Sequence, residues 1–238
     1  MSITQSLGEK AFFQGTLDIV GVVCALPAEG KALVKSLKTG QKSKVFSDTT
    51  FSTLPGGKTM ALVISGMGKV KAAASTQWLI DRFSPRWVFN FGCAGGVRTG
   101  LEAGDMFLSE LAVEYDYLNS EGTVPAVKGD PRILKTAVDF FPDIRLGIMA
   151  TGDQNGITFK HKKELRDKYR ADCCDWESAA VMRVAADAEI PAAAFRVISD
   201  VSGQGQQAVL REFKLNIDQV LPPAASTFLN LLSRLPCL

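Results

Sequence analysis

Histidine is nearly absent: His161 is the only one in 238 residues. A metal site built on two or three histidines is excluded within one chain, and a Ser-His-Asp or Cys-His centre could use only that residue. No CxxC pair occurs among Cys24, Cys93, Cys173, Cys174 and Cys237, and adjacent Cys173-Cys174 is poor spacing for a metal knuckle. An odd count without framework spacing suits a reducing compartment, so a cytoplasmic location is expected. Neither sign of charge dominates. Lys+Arg 27 against Asp+Glu 25 leaves a formal +2, which argues against a dedicated nucleic-acid binder. No apolar run approaches the roughly 18 residues of a membrane span. Internal repeats, low-complexity tracts and domain linkers are lacking as well.

What is present is a large apolar complement, 46% of residues against 22% charged, enough to bury a sizeable core. Residues 1–16 show no periodicity and read as a loose arm. Leu17–Ala28 superficially resembles a signal-peptide core, but Asp18 interrupts it and only Lys10 precedes it as a positive residue. It reads as a buried strand followed by a helix that opens near Pro27. Ser43–Leu54 reads as extended up to the turn Pro55-Gly56-Gly57, and Met60–Ser65 as a strand turning at Gly66-Met67-Gly68 into a helix that ends near Arg82. Trp87–Phe91 reads as a strand ending in a glycine-rich turn, Gly92–Gly96. Met106–Val113 and Arg145–Ala150 are further strands, and Thr151–Lys160 a polar loop. Trp176–Ala186 has helical amphipathicity, Ala192–Ile198 is a strand ending at Ser199-Asp200, and a last helix lies within Gln207–Leu232. Apolar strands alternating with helices imply an α/β fold. The expectation is a three-layer α/β/α single domain over residues 17–238, with a central, mostly parallel mixed sheet.

Ligands of open α/β sheets bind beyond the carboxyl ends of strands. The polar residues at such ends are Glu29, Gly66–Lys69, Asn90 with Gly92–Gly96, and Ser199-Asp200, with Glu177 at the start of a helix. Three carboxylates there, without histidine, suggest acid–base work on a carbohydrate-like centre. The runs Val20–Glu29, Ser65–Val70, Asn90–Gly96, Gly104-Asp105, Thr151–Asp153, Asp175–Ala180 and Arg196–Asp200, in this order and spacing, resemble the nucleoside phosphorylase superfamily. Within it they look most like the 5′-methylthioadenosine/S-adenosylhomocysteine nucleosidases. The resemblance implies cleavage of a purine N-glycosidic bond without cofactor or metal. Asp200 would be the general acid serving purine N7, with Ser199 orienting it, and Glu29 would position and deprotonate the attacking water. Glu177 would accept hydrogen bonds from the ribose hydroxyls. Cys93, Ala94 and Gly95 would line the substrate site, and Trp176 would stand under the ribose. Met67, with Leu26 and Leu210, would line the 5′ side. Asn155 and Gly156 occupy the place where the family puts a base-stacking residue, so stacking comes from Ile157 or Phe159 or is absent.

Each of these residues has a plainer reading alone. Glu29 and Glu177 could complement a helix dipole, Asp200 could cap a turn, and Cys93 could be a packing residue. Lys69 reads as a solvated lysine at a helix start, His161 as a surface residue, and Lys160–Lys163 as a solvated face. Phosphorolysis needs cations beside the anomeric carbon. Asn90 stands where the phosphorylase branch carries an arginine, which favours water as nucleophile. The alternatives are a phosphorylase, a nucleosidase for another 5′-modified purine nucleoside such as futalosine or an adenosyl lipid, or a non-catalytic nucleoside-binding protein. A homodimer is expected from the resemblance; no nucleic-acid or membrane partner is.

Overall fold

A computed structural model describes residues 18–37, 43–46, 49–154 and 158–236; the expected N-terminal arm lies outside them. The first half of the chain forms β1 (Ile19–Cys24), α1 (Pro27–Lys35), β2 (Ser43–Phe46), β3 (Thr49–Thr53), β4 (Thr59–Ile64), α2 (Lys69–Phe83), β5 (Trp87–Gly96) and β6 (Met106–Glu114). The second half forms β7 (Ala126–Lys128), α3 (Pro131–Phe140), β8 (Ile144–Thr151), α4 (Phe159–Tyr169), β9 (Cys173–Asp175), α5 (Ser178–Asp187), β10 (Ala192–Asp200) and α6 (Gln206–Arg234).

Apolar β-branched residues bury β1 along its whole length, between β4 and β5, with both pairings parallel. A strand buried on both faces needs no alternation of polar and apolar residues, which is why it reads as a continuous run. β5 pairs in parallel with β10, so β4, β1, β5 and β10 deliver their carboxyl ends to one edge. The sheet then turns back on itself. β10 pairs antiparallel with β6, β6 and β8 run parallel, β8 and β9 run parallel, and β9 pairs antiparallel with β5. These five strands close a ring, and β1, β4, β3 and β2 extend from it in that order. Closure is what brings the end of β9 against the end of β5.

Helices cover both faces. α1, α3 and α6 pack on one side through Leu33, Ile133 and Phe228, and α2 and α5 on the other through Leu79 and Val181. Phe228 is the centre of an aromatic cluster, with ring centroids 5.4 Å from Phe89, 4.9 Å from Phe91 and 5.2 Å from Phe195. α6 carries Pro222 and Pro223 in its interior. Each proline removes a helical donor, and burial of Val220, Leu221, Ala224 and Ala225 around them holds the helix in place.

The three-layer α/β/α arrangement agrees with the sequence expectation, and several local features differ. The glycine-rich segment after Phe91 is strand, not turn. Gly95 and Gly96 find ladder partners in Cys174 and Cys173 of β9, a pairing between distant segments that no local pattern reveals. The helix expected from Trp176 begins at Ser178 instead, because the Asp175 carboxylate accepts from the backbone N–H groups of Glu177 (3.3 Å) and Ser178 (3.2 Å) and bends the chain before the helix. α3 and α4 add helices beyond the expected set. Asp130 caps α3 by accepting from the Arg132 backbone N–H at 2.9 Å, and Thr158 caps α4 by accepting from the His161 N–H at 3.2 Å.

Truncating the ring at the centre of the aromatic cluster should leave a cavity that the surrounding strands cannot fill. Phe228→Ala is expected to lower unfolding stability by about 3–5 kcal/mol, read by urea denaturation with an unchanged m-value.

Candidate active site

A cavity of about 260 Å³ opens where β1, β5, β9 and β10 end. Glu29, Glu177 and Asp200 all line it, although Glu29 lies far from the other two along the chain. Trp176, Ser199, Cys93, Ala94, Gly95 and Met67, the other expected contact residues, line it too, as do Leu26 and Leu210. Asn155 and Ile157 lie outside the described residues. Phe159, the other residue expected to stack on the base, is 64% exposed and is not part of the lining.

Arg196, in the middle of β10, organises the acids. It is fully buried, and its Nε donates to Asp175 at 2.6 Å and to the Ser178 hydroxyl at 3.1 Å. Nη2 donates to the Asn90 side-chain carbonyl and, at 3.4 Å, to Glu177. Asn90 is itself fixed by donating to the Val23 carbonyl at 2.8 Å. Nη1 has no hydrogen-bond partner among the described residues. It lies beside Glu29 across Gly92: a Cβ on that glycine would stand 2.5 Å from Nη1 and would collide with the Glu29 carboxylate. Only glycine permits the approach. Burial works against the Arg196 charge, but Asp175, Glu177 and Glu29 more than offset it and hold the guanidinium cationic.

Each acid has a distinct environment. Glu29 sits at the third position of α1, where one carboxylate oxygen accepts from the Leu26 N–H and the other from the Cys93 N–H, both at 2.9 Å. Burial pushes its pKa above the ordinary carboxylate range, and Arg196 and these backbone donors pull it back. Glu177 accepts from the Gly68 N–H at 3.0 Å, and burial pushes it up to about 7 against the pull of Arg196. Asp200 accepts from the Ser199 hydroxyl at 2.9 Å through one oxygen. Burial pushes it up to about 6, opposed by that hydrogen bond and by Lys162.

Two lysines differ from the sequence reading. Lys69 is not solvated. Its ammonium bridges Glu114 (2.7 Å) and Asp116 (2.6 Å), and its side chain is 16% exposed. Its backbone N–H donates to Asp153 at 2.9 Å, and the Asp153 N–H donates to Asp116 at 2.8 Å. This clamp ties the Gly68 turn, which holds Glu177, to the loops after β6 and β8. The second exception is Lys162, which is 5% exposed within the otherwise solvated Lys160–Lys163 run. A single-residue step, about 100° around the helix axis, separates solvated Lys163 from buried Lys162, and a run of lysines hides which is which. Arg196 and Asp175 have no role in the sequence reading of the site. A charged residue inside the apolar strand Ala192–Ile198 is the signal that marks Arg196, because an unpaired charge does not survive there.

The remaining wall is apolar, with Val209, Leu210 and Phe213 of α6 facing Leu26 and Met67. The model of the phosphorylase superfamily matches residues 19–233. The chain belongs to the phosphorylase superfamily. Among superfamily relatives, a 5′-methylthioadenosine/S-adenosylhomocysteine nucleosidase of Bacillus velezensis is 30% identical, over 91% of this chain and 99% of its own. Among solved structures, the 5′-methylthioadenosine/S-adenosylhomocysteine nucleosidase of Helicobacter pylori superposes with a TM-score of 0.81 at 19% identity, covering 93% of this chain and 100% of its own. The futalosine hydrolase of the same organism gives 0.80 at 19% identity, over 92% of this chain and 99% of its own. These two likenesses concern the superfamily fold.

The raised Asp200 pKa has a consequence for stability. The folded state binds this proton more tightly than the unfolded state, whose value is about 3.9. The contribution is therefore complete below about pH 4 and is lost as pH rises toward 6. Asp200→Asn cannot titrate. Between pH 4 and pH 7.5 the stability difference between variant and wild type should move in favour of the variant by roughly 2–3 kcal/mol, measured by urea denaturation at both values.

Proposed function

We propose that the protein is an N-glycosidic-bond hydrolase that releases the base from a 5′-modified adenine nucleoside, with 5′-methylthioadenosine and S-adenosylhomocysteine as the leading substrates. The observation that carries this reading is the meeting of Glu29, Glu177 and Asp200 around one cavity, with the unpartnered Arg196 Nη1 beside Glu29. The named relative, 30% identical over nearly its whole length, supports the substrate class.

The chemistry follows from the environments. As the C1′–N9 bond lengthens, its electron pair moves onto the purine and the ribose gains oxocarbenium character. Asp200, protonated through burial, gives its proton to N7, and Ser199 fixes its orientation. Glu177 accepts from the ribose hydroxyls, an interaction that strengthens as the sugar becomes cationic. Glu29, with Arg196 behind it, holds a water on the opposite face. Its oxygen bonds to C1′ and its proton passes to Glu29, whose ionised form Arg196 favours.

Water is preferred to phosphate on electrostatic grounds. Among the described residues lining the cavity there is no lysine or arginine, and Arg196, just behind it, is already matched by three acids. A phosphate dianion would enter against net negative charge. At the other end, Leu26, Met67, Leu210 and Phe213 suit the thioether portion of a 5′ substituent.

Exposed Met67 and Val70 beside the cavity fit a homodimer whose second copy covers this edge. Four free thiols, Cys24, Cys93, Cys173 and Cys174, fit a cytoplasmic setting. No helix of the described residues is long and apolar enough to cross a membrane.

Adenine release should proceed in phosphate-free buffer and yield the free sugar. A requirement for phosphate, with ribose 1-phosphate as product, contradicts the proposal. A nucleoside panel that varies only the 5′ group should show the highest kcat/KM for apolar thioethers. Asp200→Asn should lower kcat by about 10²–10⁴-fold, and near-normal turnover by that variant removes the acid assignment.

A further inference from the structure

Lys162 is buried without a partner. The flanking Lys160 and Lys163 are exposed, whereas Lys162 is 5% exposed and its Nζ has no hydrogen bond among the described residues. An unpaired buried ammonium is destabilising, and such groups concentrate where function retains them. Its position is set by the docking of α4 on the segment that follows Asp200. The Phe159 N–H donates to the Gly203 carbonyl at 2.8 Å, and Thr158 forms a β-bridge with Gln204. From the other side, Glu212 of α6 holds the same segment by accepting from the Val201 N–H at 2.9 Å and the Ser202 N–H at 2.8 Å.

Burial pulls the Lys162 pKa below the ordinary lysine value, opposed by the Cys174 thiol from β9, Asp200 from β10 and Glu212 from α6. The Cys174 thiol is neutral at physiological pH, since burial pushes its pKa up to about 12. Both Glu212 oxygens already accept from backbone donors. Asp200 differs, because its charge would change during turnover. One of its oxygens accepts from Ser199, and the other faces Gly95, 3.1 Å from where a Cβ would stand.

We propose that Lys162 is a positioning residue for the acid: its ammonium stabilises the carboxylate that forms on Asp200 as the proton passes to purine N7. The inference rests on the reading of Asp200 as general acid. Before transfer, Asp200 is neutral, and Glu212, already held by two backbone donors, is the carboxylate that acts on Lys162. During transfer the Asp200 O–H bond breaks, the N7–H bond forms, and the C1′–N9 electron pair goes to the purine. Lys162 keeps its protons and gains an ion pair. An interaction that grows along the reaction lowers the barrier rather than tightening ground-state binding. It also offsets burial, which by itself would leave Asp200 too weak an acid.

The test is the pH profile of kcat/KM in three variants, using the nucleoside turned over fastest in the 5′ panel. Lys162→Met keeps the volume of the stem and removes the charge. It should move the basic limb, where Asp200 loses its proton, up by about one pH unit. It should also lower the acidic plateau by about tenfold, with a melting temperature no lower than wild type. Lys162→Arg should keep the limb near its wild-type position. Added to Asp200→Asn, Lys162→Met should change the rate by no more than about twofold, because the group it acts through is gone. If Lys162→Met does not fold, Lys162→Gln is read in the same way. A wild-type limb and plateau in the uncharged variant overturn the inference and leave a merely structural lysine. If Asp200→Asn itself turns over normally, the acid assignment has failed first; if that variant is inactive and the Lys162 profile is unmoved, only this inference has failed.

Discussion

The buried Arg196–Asp175 ion pair is the interaction on which the site depends. A guanidinium without solvent must be matched by fixed acceptors, and its planar fork dictates where they stand. Asp175 and Ser178 take Nε, and Asn90 and Glu177 take Nη2. The remaining nitrogen is left beside Glu29. Asp175 also accepts from the Thr151 hydroxyl at 2.7 Å and sets the start of α5. One carboxylate therefore joins the ends of β8 and β9 to the middle of β10 and fixes the backbone at Glu177.

The same desolvation acts on all three acids with different outcomes, because their partners differ. Glu29 has two backbone donors and a nearby guanidinium, which favour its charged form. Asp200 has a single hydroxyl donor, so burial leaves it able to hold a proton close to neutral pH. Burial raises both Glu29 and Asp200, and the hydrogen bonds that oppose it differ between the two. The cavity has its carboxylates at one end and an apolar wall at the other, a division that suits the proposed nucleoside.

Sequence order and burial made much of this legible. The apolar runs at Ile19–Cys24 and Ala192–Ile198 read as strands because burial on both faces imposes continuous hydrophobicity. Glu29 and Asp200 could be named because each follows such a run, at the edge where a parallel sheet presents its carboxyl ends. Asp130 before Pro131 marks a helix start in retrospect, since it is a capping residue followed by a proline. The strand character of Gly95 and Gly96 was not legible, because their partners lie in β9, far along the chain.

By itself the amino-acid sequence determined the α/β layering and which carboxylates end strands, since hydrophobic periodicity and chain direction are local properties. Ring closure, the guanidinium at the centre of the acids, the clamp at Lys69 and the burial of Lys162 were decided only by the tertiary structure. The physical reason is that protonation and pairing depend on solvent exclusion, and solvent is excluded by segments that meet only after the strands have closed.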